Sequence, residues 1–390
     1  MAETISVEAP APGANARPWG KSLLLTLPIL LWALLMFSRA FVLPGVAPKV
    51  AGLIVLAFMV TLFFLMVRTK ATHRWRRAFF ITLGLLFPIG FIWDLISLRG
   101  SMSIPIEKML SGDTPFCFLA IPMMIVPAAL AKTIAFPGSI LPTLTNPHAI
   151  GPMVALWFAA TLVLGKGWCA YGCFFGGIEE GASAIARKAR IRNLDPRWRW
   201  VPWGVLAAVV LVSAATYEPF YCFWLCPFKA VTEFPEVNSA QTTVQAGIFG
   251  SLFVGLVLVL PFLTKLRTQC TILCPFGAFQ SLFNKLSVFE VRIDRGKCTD
   301  CATCRRACPT LSLDAGSAAQ GRAMMSCMKC GACVDACTKG AVVWHIRGTS
   351  LCASPETARL LFLYPAWAFA TMFGGSIIAN SVEKMVRLVM

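Results

Sequence analysis

Two stretches of the chain, "CTDCATCRRACP" from Cys298 and "CMKCGACVDAC" from Cys327, carry one pattern, C-x-x-C-x-x-C-x-x-x-C. Thiolates two residues apart can point at one inorganic core, while the backbone amides of the short turns between them point at its sulfurs. The fourth cysteine, entering a helix, reaches the neighbouring core, so three thiolates of one run and the last of the other close each cubane. On this pattern Cys298, Cys301, Cys304 and Cys337 hold a first [4Fe-4S] cluster, and Cys327, Cys330, Cys333 and Cys308 a second. Structural zinc in four-cysteine boxes is the alternative that spacing alone leaves open, although two full runs of this form are characteristic of clusters. Pro309 follows Cys308, whereas Thr338 follows Cys337.

A second pattern occurs three times. "CAYGCFFGG" (Cys169 to Gly177), "CFWLCPFKA" (Cys222 to Ala230) and "CTILCPFGA" (Cys270 to Ala278) share C-x-x-x-C-x-F-x-[GA]. Each follows an apolar block, and the proline after the second cysteine in two copies suits the first turn of a new helix. The pairs therefore belong where one helix stops and another begins. The first and third copies look like equivalent parts of two half-repeats. Cys169, Cys173, Cys270 and Cys274 could then converge on one inner site for a further metal or cluster. Two small apolar residues, or a disulfide, are the bland readings of such a pair. For Cys222 and Cys226 an outer redox pair and a plain disulfide stand level. Cys117 and Cys352 read as buried hydrophobes.

The elements that must position these cysteines are membrane helices. Of 390 residues 57% are hydrophobic and 14% charged, more apolar surface than one soluble core buries. The net charge of +17 does not point to nucleic acid, because the basic residues cluster at the ends of apolar blocks, as Arg68, Arg74, Arg76 and Arg77 do. Sixteen cysteines, eight of them in the two tight four-cysteine runs, suit clusters kept in a reducing compartment rather than disulfides. Residues 1–20 read as a disordered tail, and 22–43 as an uncleaved anchor rather than a signal peptide. Further blocks run at 50–67, 78–97, 149–165, 200–216, 243–263 and 357–378. The segment 116–136, with Pro122 and Pro127, reads as re-entrant or interfacial, because counting it as a span would put the basic run from Arg187 to Arg199 outside.

The fold class expected is therefore an all-α polytopic membrane protein, with about seven transmembrane helices and one re-entrant segment, carrying a small α+β two-cluster module. Its divisions are a tail at 1–20, N-terminal helices at 21–97, an outer loop at 98–148, a transmembrane core at 149–285, the cluster module at 286–348 and a last helix at 357–378. Basic loops at 68–77 and 166–199 place the module in the cytoplasm and the loops 98–148 and 217–242 outside, in a bacterial-type inner membrane.

The order of C-x-x-x-C after one helix, a helical pair, C-x-x-x-C-P and a two-cluster run resembles the membrane polyferredoxins of the NapH and NosR type, and CcoG shares the plan. The resemblance covers about 149–345. It implies a protein that passes electrons between the quinone pool, or cytoplasmic donors, and a partner reductase or its maturation machinery. Residue by residue, the two cytoplasmic C-x-x-x-C-P motifs of that family fall on Cys169/Cys173 and Cys270/Cys274, with Phe174 where the first proline stands. Cys222/Cys226 occupies an outer position that the simpler NapH pattern lacks. No match to the flavin-bearing outer domain of NosR is found, so no flavin is expected.

The other chemistries have little support. With three histidines, His73, His148 and His345, and no facing pair in the membrane, no haem is expected. "GSLFVG" lies inside an apolar helix and is no dinucleotide loop. Asp94 in "FIWDLI" is the clearest intramembrane ionisable group, a candidate proton acceptor for a quinol, with pairing to Arg99 as the plain alternative. Glu179 and Glu180 could serve on the inner side, or simply favour a helix start. Arg305 and Arg306 would raise the potential of a cluster or form an exposed docking face. The function expected is membrane iron-sulfur electron transfer to a partner redox subunit on the outer face. A copper maturation factor and a redox-sensing membrane regulator are the alternatives.

Overall fold

The computed structural model describes residues 16–97, 150–186, 188–191, 194–216, 220–232, 239–350 and 354–389, with the isolated positions 126 and 237; for 91–97, 150–153 and 231–232 it describes the backbone alone. The expected re-entrant segment at 116–136, apart from position 126, and Cys117, His148 and Cys352 lie outside these residues.

Among the described residues six helical stretches are long and apolar enough to cross a membrane: Trp19–Val42, Ala47–Thr69, Val154–Tyr171, Pro196–Thr216, Ala240–Thr264 and Pro355–Val389. The expected block at 78–97 is the latter part of a further helix, Thr72–Ser97. Helices α1 (Trp19–Val42) and α2 (Ala47–Thr69) form a hairpin, and Lys70 in the left-handed region at φ 59° reverses the chain into α3 (Thr72–Ser97). At 1.5 Å per residue the 24 residues of α1 reach about 36 Å, enough for the hydrocarbon layer. Leu23, Leu24, Leu27, Leu31 and Leu35 of α1 stay exposed, as befits a face that meets lipid.

The remaining long elements are α4 (Ile150–Leu164), α5 (Phe174–Ile185), α6 (Val201–Thr216), α7 (Ala240–Leu252), α8 (Pro275–Phe283), α9 (Pro355–Ala370) and α10 (Ser376–Val389). Helix α3 is the hub, packed against α5, α10 and α2. Its approach to α5 is backbone to backbone: a Cβ on Gly84 would collide with the main chain of Gly177 and Ile178, and one on Gly177 with the main chain of Phe80 and Gly84. Small residues permit such contact, and dispersion between close backbones then holds the pair.

The cluster module is tied into the same core. Strand β1 (Phe289–Ile293) pairs antiparallel with β2 (Val342–Ile346), Phe289 opposite Ile346 and Val291 opposite Trp344. Alternation sends Phe289, Val291 and Ile293 to the buried face. There Trp344 stacks on Phe362 of α9 with ring centroids 4.4 Å apart, while Phe289 and Tyr171 meet Phe362 edge-on at 5.5 and 5.8 Å. Met59 and Phe79 of the helices share one apolar cluster with Leu313 and Val342 of the module. The module is thus a wall of the helical core rather than a domain on a tether.

Gly177→Leu should prise α5 from α3 and lower the midpoint of thermal unfolding in detergent by more than 5 °C, an effect of roughly 2 kcal/mol or more. Gly204→Ala, where an added Cβ meets nothing within 4 Å, should leave it unchanged.

Candidate functional site

The two cysteine runs have one backbone. Asp300 and Lys329, each just before the second cysteine, take φ of 49° and 52°; Ala302 and Gly331, each just after it, take 59° and 82°. These left-handed residues turn the chain twice within seven positions, so that three thiols face one side. Gly331 meets the turn without strain and lies against Thr72, whereas Ala302 carries a cost of about 1–2 kcal/mol.

Cys298, Cys301, Cys304 and Cys337 line one cavity of about 320 Å³, with Arg305 and Lys339 at its wall. Cys333 lies within electrostatic reach of Cys327, Cys330 and Cys308, and then of Cys304 in the other group. Backbone amides donate to two of the sulfurs, Ser312 N to Cys308 and Ala341 N to Cys337, both at 3.3 Å. Among the described residues no three of His, Cys, Asp and Glu converge closely enough to hold a single metal ion. A four-thiolate zinc needs all its sulfurs at about 2.3 Å from one point. A cavity walled by four cysteines, with a backbone amide turned to sulfur, fits a polynuclear cluster. Burial pushes the Cys330 thiol up to about 12, while hydrogen bonding from Thr303 holds the exposed Cys301 below the ordinary thiol range.

The three C-x-x-x-C copies also share a backbone. The second cysteine is extended in each, at φ −80°, −80° and −66° for Cys173, Cys226 and Cys274, with ψ near 100°. It ends one turn and starts the next helix, and Pro275 takes the first position of α8, where its missing N–H costs nothing. Cys274 lies within electrostatic reach of Cys169 and Cys173, and Cys270 within reach of Cys274 and Cys173. The four inner cysteines therefore form one group. Lys166, buried and donating to Ser281 Oγ at 2.9 Å, stands within reach of Cys169, Cys270 and Cys274 and also of Cys327 in the module.

The middle copy packs against the other two. Residues 220–232 turn back between the helices: Gln245 donates to Phe223 O at 3.1 Å, and Cys226 shares a buried apolar cluster with Tyr221, Phe228, Val209 and Val257. Phe228 stacks on Phe175 of the first copy at 3.5 Å, and Gln269, beside the third copy, donates to the Tyr221 hydroxyl at 3.1 Å. Apolar residues at 220, 221, 225 and 228 have no place in water, which is why the stretch folds inward.

Between the second module group and the inner group lies a chain of buried charges. Arg76 donates to both oxygens of Glu180 at 2.7 and 2.8 Å and to Ala170 O at 2.9 Å. Arg267 lies 3.7 Å from Glu179 and 4.0 Å from Glu180, and donates to Cys169 O and Met328 Sδ, both at 2.9 Å. Glu179 accepts from Gln269 N at 2.6 Å and from the Cys270 thiol at 2.9 Å. Both guanidinium groups lie over the ring of Phe80, at 5.2 and 5.3 Å. Glu179 and Glu180 thus face the cysteines rather than merely favouring a helix start.

Comparison with known proteins matches the module. A family described as a 4Fe-4S dicluster domain covers residues 290–338, and one described as a 4Fe-4S binding domain covers 146–192, 200–237 and 246–294, one C-x-x-x-C pair in each. The chain is 27% identical over 202 residues to the ferredoxin-type protein NapH of Haemophilus influenzae, covering 49% of this chain and 65% of that one. It is similar to the NapH ferredoxin-type proteins. The methylamine utilization ferredoxin-type protein MauN of Paracoccus denitrificans is 29% identical over 157 residues, 38% of this chain and 50% of its own, and NapH of Escherichia coli 25% over 179, 44% and 59%. The chain spans less than two thirds of the length of each of these NapH-type and MauN relatives. No solved structure matches it.

Asp94 lies on the last turns of α3, where the backbone alone is described. Arg306 is exposed beside Cys301 and Arg305 half-buried at the wall of the first cavity. The residues that spacing did not reveal are Arg76, Arg267, Lys166 and Tyr221. Their only signal was the improbability of charge in apolar stretches.

Breaking the buried Arg76–Glu180 pair should cost about 3–5 kcal/mol, because it strands a buried carboxylate. Arg199→Leu, whose partner Asp314 is partly exposed, should cost under about 1 kcal/mol. Thermal unfolding of Arg76→Leu and Arg199→Leu, compared in one detergent, measures the difference.

Proposed function

We propose that the chain is a membrane-bound electron-transfer subunit in which four cysteine groups stand in series, from the exposed edge of the module into the helical core. The observation that carries this reading is their contiguity. Cys333 of the second group lies within electrostatic reach of Cys304 in the first; Arg267 donates both to Met328, next to Cys327, and to Cys169 O; and Gln269, next to Cys270, donates to Tyr221, next to Cys222. Cys298, Cys301, Cys304 and Cys337 would hold one [4Fe-4S] cluster, Cys327, Cys330, Cys333 and Cys308 a second, and Cys169, Cys173, Cys270 and Cys274 a third. When bound, such clusters supply one-electron carriers whose potential follows their charge and hydrogen bonds. The protein's part is to hold the thiols apart at cluster spacing, exclude water from the inner group and place fixed cations beside it. Cys222 and Cys226 would pass electrons on to a partner redox subunit.

A quinone is the proposed lipid-soluble partner. A cavity of about 510 Å³ opens at the foot of α6, lined by Trp200, Trp203, Met324, Arg322 and Cys327. Aromatic rings at a helix foot beside a cluster ligand would suit a quinone ring. Asp94, on the far part of α3 and away from this cavity, is retained as proton acceptor for a quinol that reaches the opposite end of the helix. The basic loops support a cytoplasmic module in an inner membrane.

Iron and acid-labile sulfide, measured on protein purified without oxygen, test the reading. About twelve iron atoms per chain are expected, falling to about eight when Cys169, Cys173, Cys270 and Cys274 are replaced by Ser. About eight in both would remove the inner group from the path, and copper lost in place of iron would favour a maturation factor.

A further inference from the structure

Arg267 touches both sides of the boundary between the module and the inner cysteines. Its Nη1 donates to Met328 Sδ, next to Cys327, and to the carbonyl of Cys169, each at 2.9 Å. The side chain is completely buried, and among the described residues its Nε and Nη2 have no hydrogen-bond partner. A buried guanidinium normally spends its donors; here two nitrogens, carrying three N–H groups, are unspent between two thiol groups. The fold provides for that position, since a Cβ on Gly176 would collide with Nη2 and Cζ. Arg76 and Arg267 face Glu179 and Glu180, all buried, and the buried Lys166 stands beside the same cysteines.

We propose that Arg267 is a positioning residue for electron transfer: one fixed cation, shared by the second module group and the inner group, that stabilises an added electron on either and so holds their reduction potentials together. The inference rests on the cluster reading above and adds what sets the step between the two groups. A guanidinium keeps its proton under all ordinary conditions, so its effect is a constant field. Each electron that arrives adds one negative charge, which this field favours.

The test is a redox titration followed by electron paramagnetic resonance, on the full chain in detergent. In Arg267→Gln the second cluster should become harder to reduce, its reduced-to-oxidised ratio at fixed poise falling roughly tenfold, as for one charge lost at about 10 Å in a medium of effective dielectric 20. The first cluster should keep its wild-type value, and Arg267→Lys should restore much of the second. Gly176→Ala, which moves the guanidinium without removing charge, should also perturb the second and inner signals and leave the first unchanged. If Arg267→Gln does not fold, Glu180→Gln carries the test with the opposite sign, because the balance then gains a positive charge and the second cluster becomes easier to reduce. An unshifted second cluster in Arg267→Gln, or in Glu180→Gln where only that variant folds, would overturn the inference while leaving the cluster reading intact. A wild-type chain without [4Fe-4S] signals would overturn both.

Discussion

Burying two arginines and two glutamates in an apolar core is tolerable only if each finds its partner, and much of this structure follows from that requirement. Arg76 must reach Glu180 from α3, and Arg267 must reach Glu179 from the turn before Gln269, so α3, α5 and the third C-x-x-x-C turn are drawn to one point. Glycines at 84, 176 and 177 give the room for that convergence. An unpaired member would cost several kcal/mol. The same pairs bring the cysteines of copies one and three together, since Cys169 and Cys270 are bonded directly to Arg267 and Glu179.

The apolar part of the core does complementary work. Phe362 of α9 receives Trp344 from the module and Tyr171 from the first cysteine turn, so one side chain registers both against the membrane helices. Lys329 adds a polar tie: its ammonium, buried in the second run, donates to Leu164 O, Asn284 Oδ1 and Ser287 Oγ at 2.7–2.9 Å. A tethered module would wander by more than the reach of electron exchange. One welded in by aromatic stacking and satisfied polar ties keeps its cysteines at fixed separation from those in the helices.

The sequence was legible where function is written in local spacing. Both four-cysteine runs, the C-x-x-x-C repeats, the apolar blocks and the proline that opens α8 could be read because each depends on neighbours within a few positions. What joins the repeats could not be read. Arg76 and Glu180 are 104 residues apart, and the Tyr221–Gln269 contact spans 48. Nor does the pattern say that 220–232 turns back between helices, because an apolar stretch after a span looks the same whether it faces lipid, a partner or its own core. The two αL positions in each run were invisible for another reason: Asp300, Lys329 and Ala302 are held there by the turn rather than by their own preference.

The central claim is that the cysteine groups form one continuous path from the module through the membrane core. The most direct measurement uses proteoliposomes with the module facing outward and ferricyanide sealed inside, reduced from outside by dithionite. The account predicts that the trapped ferricyanide is bleached by the wild-type chain and not by Cys222→Ser/Cys226→Ser, although the module clusters are reduced in both. Trapped ferricyanide that stays oxidised while the wild-type clusters are fully reduced would contradict it.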